Sequence, residues 1–505
     1  MKRQKKQYPE DFKSLLGFST VSWVQGFATM IYALFMQFLT DYSGIDAAIG
    51  KAGYAAAFGT VILLITRIID AVDDPLQAWI MDSAPERKSG KYRRFTFWGI
   101  LLIGVGIILM FTLPDFVKRN KVLLFIWILF GYILFEMGSA FNGTGPIIQK
   151  ATIDANVRTK ITSLLRMGII IAIIPSVFFI PIVTAANASI GDMGKSFSIV
   201  TIIITIIYCA ISLGGLALIK EPYLGNTKEE GKEEATKLSW RDVWEMLKTN
   251  KPLLVHNLAY FIGNMSYAVS SAVLVYFLKW FYCADMATGV VDEAKYASIY
   301  GIYGVISLIP NFLTPLVAGF VVKKLGSVDK AARVTVLLGG IGYGLVIVLY
   351  FLGILQLSPW VFIFLNLIAG IPASIAVIPS MLLNTECADY VEYNTGKNMA
   401  AMTAAVNGVV QKAQSAIAVV IPGLILTSVG YSVDSVTGNY AGDLTKLPTM
   451  VFGLVVATSL IPFLVSVGSW AVYKFGYDIT PEYRVKMTAE LERRRALAAE
   501  AAKEQ

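Results

Sequence analysis

The chain has 505 residues, of which 56% are hydrophobic and only 15% are charged. A set of soluble domains is excluded, because the apolar stretches approach membrane-spanning length. The net charge of +8 is not a nucleic-acid footprint either. Most of the 43 Lys and Arg fall in the N-terminus, alternate loops and C-terminal tail, which is the positive-inside pattern of a multi-pass membrane protein. Cys209, Cys283 and Cys387 offer neither a disulfide framework nor metal-ligand spacing, and no cofactor is expected. The single His256 opens a span, where a satisfied or interfacial histidine is expected rather than a proton carrier.

The N-terminus, Met1 to Lys6, is basic, and the apolar run behind it is too long and too aromatic for a cleaved signal peptide. It is expected to be retained as the first of twelve spans, near 18–40, 54–81, 95–113, 122–143, 161–184, 196–219, 253–281, 296–322, 334–354, 359–383, 399–428 and 449–474. An even number of spans and the basic loops place residues 1–17 and the tail 475–505 in the cytoplasm, with the protein in the cell (plasma) membrane. The loop 114–121, carrying Lys118, Arg119 and Lys121, runs against the rule. The longest polar stretch, 220–252, falls near the midpoint. Its first part is a charged linker, and Trp240, Val243, Trp244 and Leu247 behind Ser239 form one face of a short amphipathic helix. The organisation expected is all-α: six helices over 18–219 and six over 253–474. The tail from Glu482 is Ala/Glu/Arg/Lys-rich and is expected as a solvated, frayed helix.

Two six-span halves predict an internal repeat, so the second and eighth spans should correspond. Asp74-Pro75-Leu76-Gln77-Ala78 aligns with Thr314-Pro315-Leu316-Val317-Ala318, each followed by a basic loop. The same offset sets Arg67 against Ser307 and Asp70 against Pro310, so the charges belong to the N-terminal half alone.

Those charges are the most informative feature. Arg67, Asp70, Asp73 and Asp74 stand inside the second span, where an ionisable group is a functional-site hypothesis by default. At about 100° per residue, Asp70 and Asp74 lie roughly 40° apart, with Arg67 about 60° from Asp70 on the same stripe. Asp73 falls about 60° to the other side of Asp70, within the same half of the helix. Three neighbouring carboxylates in low dielectric need cationic compensation. A proton or a hard cation such as Na⁺ supplies it, with Asp70 and Asp74 as the oxygen ligands if a metal ion binds. Arg166 and Lys412 are the other basic residues deep in spans, and Glu136 is the other deep acid. Gln25, Asn142, Thr144, Asn257, Asn264, Asn311, Asn366, Asn407 and Gln411 suggest a polar cavity in the bundle, with Tyr32, Trp79, Tyr267 and Tyr303 as candidate lining aromatics.

At Arg67-x-x-Asp70-x-x-x-Asp74-Pro75 the sequence resembles the glycoside–pentoside–hexuronide:cation symporters, the melibiose-permease-like branch of the major facilitator superfamily. Thr40-Asp41 at the end of the first span is similar to the family's Thr-Asp. Asp154-x-x-x-Arg158 followed by Arg166 resembles its fourth-to-fifth loop and fifth-span arginine. Asp389-Tyr390-x-Glu392-Tyr393 with Lys412 resembles its tenth-to-eleventh loop and eleventh-span lysine. The resemblance implies the major facilitator fold and a cation-coupled symporter, not an enzyme, functional as a monomer. It implies a cation site at Asp70 and Asp74, here with Asp73, tuned by a charge network of Arg67, Lys412 and Glu136. The sugar contacts would fall at Gln25, Asn142, Arg166 and Lys412. Family members that use Na⁺ tend to carry an asparagine within the Asp pair where this chain has Asp73, so Na⁺ and H⁺ both stay open. The family's sugar-binding aspartates align near Gln25 and Asn142-Gly143, which points away from a melibiose-like galactoside and leaves pentosides, hexuronides and non-sugar solutes. Two other readings stand beside this one: a lysolipid symporter of the same fold, and an aspartate-rich, Mg²⁺-dependent membrane prenyltransferase.

Overall fold

The computed structural model describes residues 8–85, 90–141, 144–152, 155–222, 248, 250–396 and 400–504, with some of them, residues 70–79, 82, 83, 311 and 495–504 included, described by their backbone alone. The expected amphipathic helix at 239–248 lies outside the described residues, Lys248 excepted. The long elements are helices because a chain in hydrocarbon must satisfy every N–H and C=O internally. Among the described residues, ten helices are long and apolar enough to cross a bilayer. The expected spans 18–40 and 54–81 fall outside that count. The second is one continuous helix, Tyr54–Ser83, running through Pro75. The first is broken into Phe12–Thr20, Trp23–Ala33, Phe35–Gln37 and a π-helical turn, Phe38–Tyr42, that carries Thr40 and Asp41.

The chain forms two compact units that are not contiguous in sequence. The first comprises Met1–Glu230, Leu278–Val305 and Gly423–Val451; the second comprises Gly231–Phe277, Ile306–Pro422 and Phe452–Gln505. In the first unit the helices Tyr92–Phe111 and Lys121–Ala140 pack through glycine. A Cβ on Gly106 would lie 2.5 Å from the Phe135 nitrogen, and one on Gly138 would lie 2.5 Å from the Ile103 nitrogen. Small residues serve here because lipid offers no hydrophobic drive between helices, so association rests on close backbone approach and dispersion. The buried rings of Phe38, Phe111, Phe179 and Phe197 form the centre of this unit, at centroid separations of 4.9 to 5.9 Å along the Phe38–Phe111, Phe111–Phe197 and Phe179–Phe197 contacts.

In the second unit Val328–Phe351 packs on Pro359–Ile375 and Ile461–Gly476. Hydroxyls stitch the interior: Ser469 donates to the Ala259 carbonyl at 2.7 Å and Ser266 to that of Pro462 at 3.1 Å. His256 is buried with Nδ1 3.0 Å from the Tyr473 hydroxyl, while Nε2 has no hydrogen-bond partner among the described residues, so the expected satisfied histidine is satisfied on one side of the ring only.

Three loop and tail expectations change. The loop 384–398 is helical to Thr395, as the end of Val377–Thr395, and the loop 144–160 contains the helix Thr144–Ala151. The tail helix Pro481–Glu504 is not simply solvated. Its Met487 and Leu491 are buried, and Arg484 reaches Glu386 Oε2 at 3.1 Å and Asp329 Oδ1 at 3.5 Å. A bidentate guanidinium between two carboxylates orders a segment whose composition alone is that of a free helix.

Gly106→Val should overpack the contact with Phe135 at a cost of about 1–3 kcal/mol. A lowered thermal unfolding midpoint in detergent, with wild-type helicity before the transition, is the expected result.

Candidate functional site

The acidic stripe lies on a helix that remains unbroken from Tyr54 to Ser83, so the expected sharing of one face by Arg67, Asp70 and Asp74 follows from the backbone. The side chains of Asp70, Asp73 and Asp74 lie outside the described set, whereas that of Arg67 is described. Its guanidinium sits 5.3 Å from the centre of the Tyr32 ring. Tyr32 in turn stacks on Phe135, at 5.6 Å and 13°, and tilts against Tyr132 at 5.9 Å. One tyrosine from Trp23–Ala33 thus joins the arginine to the helix Lys121–Ala140, on which half-buried Glu136 follows Phe135. A cation over an aromatic face is attracted by the ring's quadrupole, which holds the guanidinium in place.

The helices that carry Gln25 and Arg166 cross at a second point. Gly26 and Gly168 admit the backbones: a Cβ at Gly26 would stand 2.8 Å from the Ile169 carbonyl oxygen, and one at Gly168 would collide with that of Ser19. Arg166, on Ala155–Ser176, is exposed from the protein, and Gln25 is half-buried. Asn142 lies outside the described residues. Lys412 belongs to the second unit, half-buried on Ala400–Val429. One turn of that helix is polar: Gln411 Nε2 donates to Asn407 Oδ1 at 2.9 Å and to the Tyr260 hydroxyl at 3.0 Å.

A further charged cluster was not anticipated from sequence. Lys279, at the end of Lys251–Tyr282, donates to Asp41 Oδ2 at 2.9 Å, and both side chains are fully buried. Asp41 Oδ1 also accepts from Tyr431 at 2.7 Å and from Thr40 at 2.8 Å, and Tyr431 Oη accepts from Trp280 Nε1 at 2.9 Å. The Lys279 ammonium lies 5.2 Å from the Tyr42 ring centre and 5.4 Å from that of Trp280. All these residues belong to the first unit. The lysine stands two residues from the end of a predicted span, where a long cationic side chain is expected to snorkel to the interface. The signal in sequence was Asp41, a carboxylate equally near a span end. Nearby, on the short helix Ile45–Ile49, Asp46 accepts from the amides of Gly53 at 3.0 Å and Ala55 at 2.7 Å. Burial pushes its carboxyl up from the ordinary range, against the pull of these bonds and one from Ser432.

Helices of membrane-spanning length with charged groups inside their bundles define a multi-pass membrane protein. Residues 18–481 match the family model described as MFS/sugar transport protein, and the chain belongs to that family, with the major facilitator fold. It is 26% identical over 496 residues to an uncharacterized symporter, YnaJ, of Bacillus subtilis (strain 168), covering 96% of this chain and 93% of that one. It is 23% identical over 496 residues to a glucuronide carrier protein homolog of Escherichia coli (strain K12), covering 96% of each. The fold is shared with a bacterial homologue of the human lysosomal transporter Spinster, solved in an inward-facing, unoccupied conformation. There the TM-score is 0.61 at 11% identity, covering 95% of this chain and 99% of that chain. The expected kinship with sugar-type symporters of the major facilitator superfamily therefore holds.

If Tyr32 positions Arg67, Tyr32→Phe should keep the cation–π contact, while Tyr32→Leu should weaken ion activation of transport by roughly tenfold, the equivalent of about 1–2 kcal/mol. Activation curves for the two variants in proteoliposomes measure the difference.

Proposed function

We propose that this transporter is a cation-coupled symporter that moves a glycoside, pentoside or hexuronide-type solute by alternating access. The observation that carries the reading is the Arg67, Asp70, Asp73, Asp74 face, three acids and one arginine on a single uninterrupted helix inside a sugar-transport family. Carboxylates so placed are costly when empty and stabilised when a proton or Na⁺ arrives, so ion occupancy biases the helix between two states. Asp70 and Asp74 provide the ion's oxygens, with Asp73 beside them, and Arg67, Lys412 and Glu136 make up the charge network around it. Gln25, Asn142, Arg166 and Lys412 contact the solute. A solute bearing a carboxylate suits the two cations in that set, and the similarity to a glucuronide carrier homolog supports a hexuronide among the candidates. Twelve spans in two six-helix bundles, 18–219 and 253–474, both termini in the cytoplasm, a plasma-membrane location and a monomeric working unit complete the proposal.

The test is uptake into proteoliposomes against a panel of glycosides, pentosides, hexuronides and lysolipids, with a Na⁺ gradient and a pH gradient imposed separately. Accumulation of one sugar class driven by one gradient is the expected outcome; ion-independent equilibration, or uptake of lysolipid alone, overturns it. Asp74→Asn should abolish uphill accumulation while the protein stays folded. Lys412→Ala should shift the ion-activation curve, and an unchanged curve removes Lys412 from the network.

A further inference from the structure

The Asp41 end of the first unit encloses two carboxylates and one ammonium. Lys279 Nζ donates to Asp41 Oδ2 at 2.9 Å and lies 3.3 Å from Glu293 Oε1. Asp41 is fully engaged, accepting from Lys279, Tyr431 and Thr40. Glu293 is not. Its side chain keeps 13% of its surface, and neither oxygen has a well-aligned hydrogen bond among the described residues, the Lys279 ammonium standing farther from it, at 3.3 Å, than from Asp41. Gly438 covers the carboxyl. It sits at a φ of +78°, and a side chain there would collide with Glu293 Oε1, so the space that a Cβ would take is filled by the carboxyl group.

Of the other polar neighbours, the Cys283 thiol is buried and neutral in kind, and several others bond elsewhere. Asp292 caps the helix Glu293–Leu325 by accepting from the Lys295 amide at 2.9 Å, and the Lys295 ammonium donates to the Tyr282 carbonyl at 2.7 Å. Tyr296 is bonded to Gln37, and the Tyr431 hydroxyl is held between Trp280 and Asp41; Tyr42 presents its ring to Lys279. Among the described residues, then, Lys279 is the cation that faces both carboxylates, and its hydrogen bond goes to Asp41. With both acids ionised the enclosure holds a net charge of −1. Uncompensated charge in low dielectric is strongly disfavoured, and a proton removes it.

We propose that Glu293 is a proton-binding site, distinct from Asp70, Asp73 and Asp74, which holds its proton while the Asp41, Lys279 and Tyr431 contacts are made. Opening of this end to water releases the proton: the O–H bond of the carboxylic acid breaks, the proton passes to water, and the carboxylate left behind is hydrated. Acid pH therefore favours the closed arrangement and alkaline pH favours its opening, whichever ion drives transport.

The test is infrared spectroscopy of the full chain in lipid at neutral pH, read at the carbonyl stretch of protonated carboxyl groups. Glu293→Gln should lose one such band relative to wild type, and the lost band should shift in deuterated water. Asp41→Asn should lose the same band, because Lys279 then turns to Glu293 and pairs with it as a carboxylate. A Glu293→Gln spectrum that matches wild type in this region, or that loses only a carboxylate band, overturns the proposal. Should Asp41→Asn fail to fold, the isosteric Glu293→Gln still decides. Transport is not a readout, so a failed symport assignment and a failed proton site are told apart.

Discussion

Charge inside a low-dielectric bundle has to be compensated, and most of what is distinctive about this protein follows from how that is done. A charge removed from water loses several kcal/mol of solvation, which an ideal partner only just offsets. The protein meets this constraint in three ways. Lys279 and Asp41 are paired, fully buried and hydrogen-bonded on almost every side. Arg67 rests on an aromatic face, and Arg484 ties the tail helix to Glu386 and Asp329 where water is nearer.

These placements depend on close backbone approach. Gly26, Gly106, Gly138 and Gly168 each stand where a Cβ would meet a neighbouring helix's backbone. The crossings near Gln25 and Arg166, and the one beneath Glu136, therefore tolerate little change in separation. The broken first span works the opposite way. Its π-helical turn, Phe38–Tyr42, shifts the register of the helix just where Asp41 has to face Lys279 and Tyr431.

Much of the fold was legible from the chain. Long apolar runs, alternating basic loops and a charged midpoint are direct consequences of burying backbone in lipid, and the ten membrane-length helices among the described residues overlap ten of the expected spans. The acidic stripe was legible too, because helical periodicity needs only the local sequence. The partners of those charges were not. Tyr32 is 35 positions from Arg67 in the chain and was expected as one lining aromatic among several, and nothing in its neighbourhood marks it as the ring beneath the guanidinium. Lys279 carried no signal of its own, because a lysine near a span end has two destinations, water or a buried acid, and hydropathy does not separate them.

By itself, then, the sequence determined the class of protein, the apolar character of its helices and its family, since each is written in composition or in short motifs. Only the tertiary structure decided which charges meet. The Asp41, Lys279, Glu293 and Tyr431 enclosure draws on stretches separated by up to 390 positions, and the first unit takes in 278–305 and 423–451 from the second half of the chain. An ion pair is a property of distance and burial, and those exist only once the helices have packed.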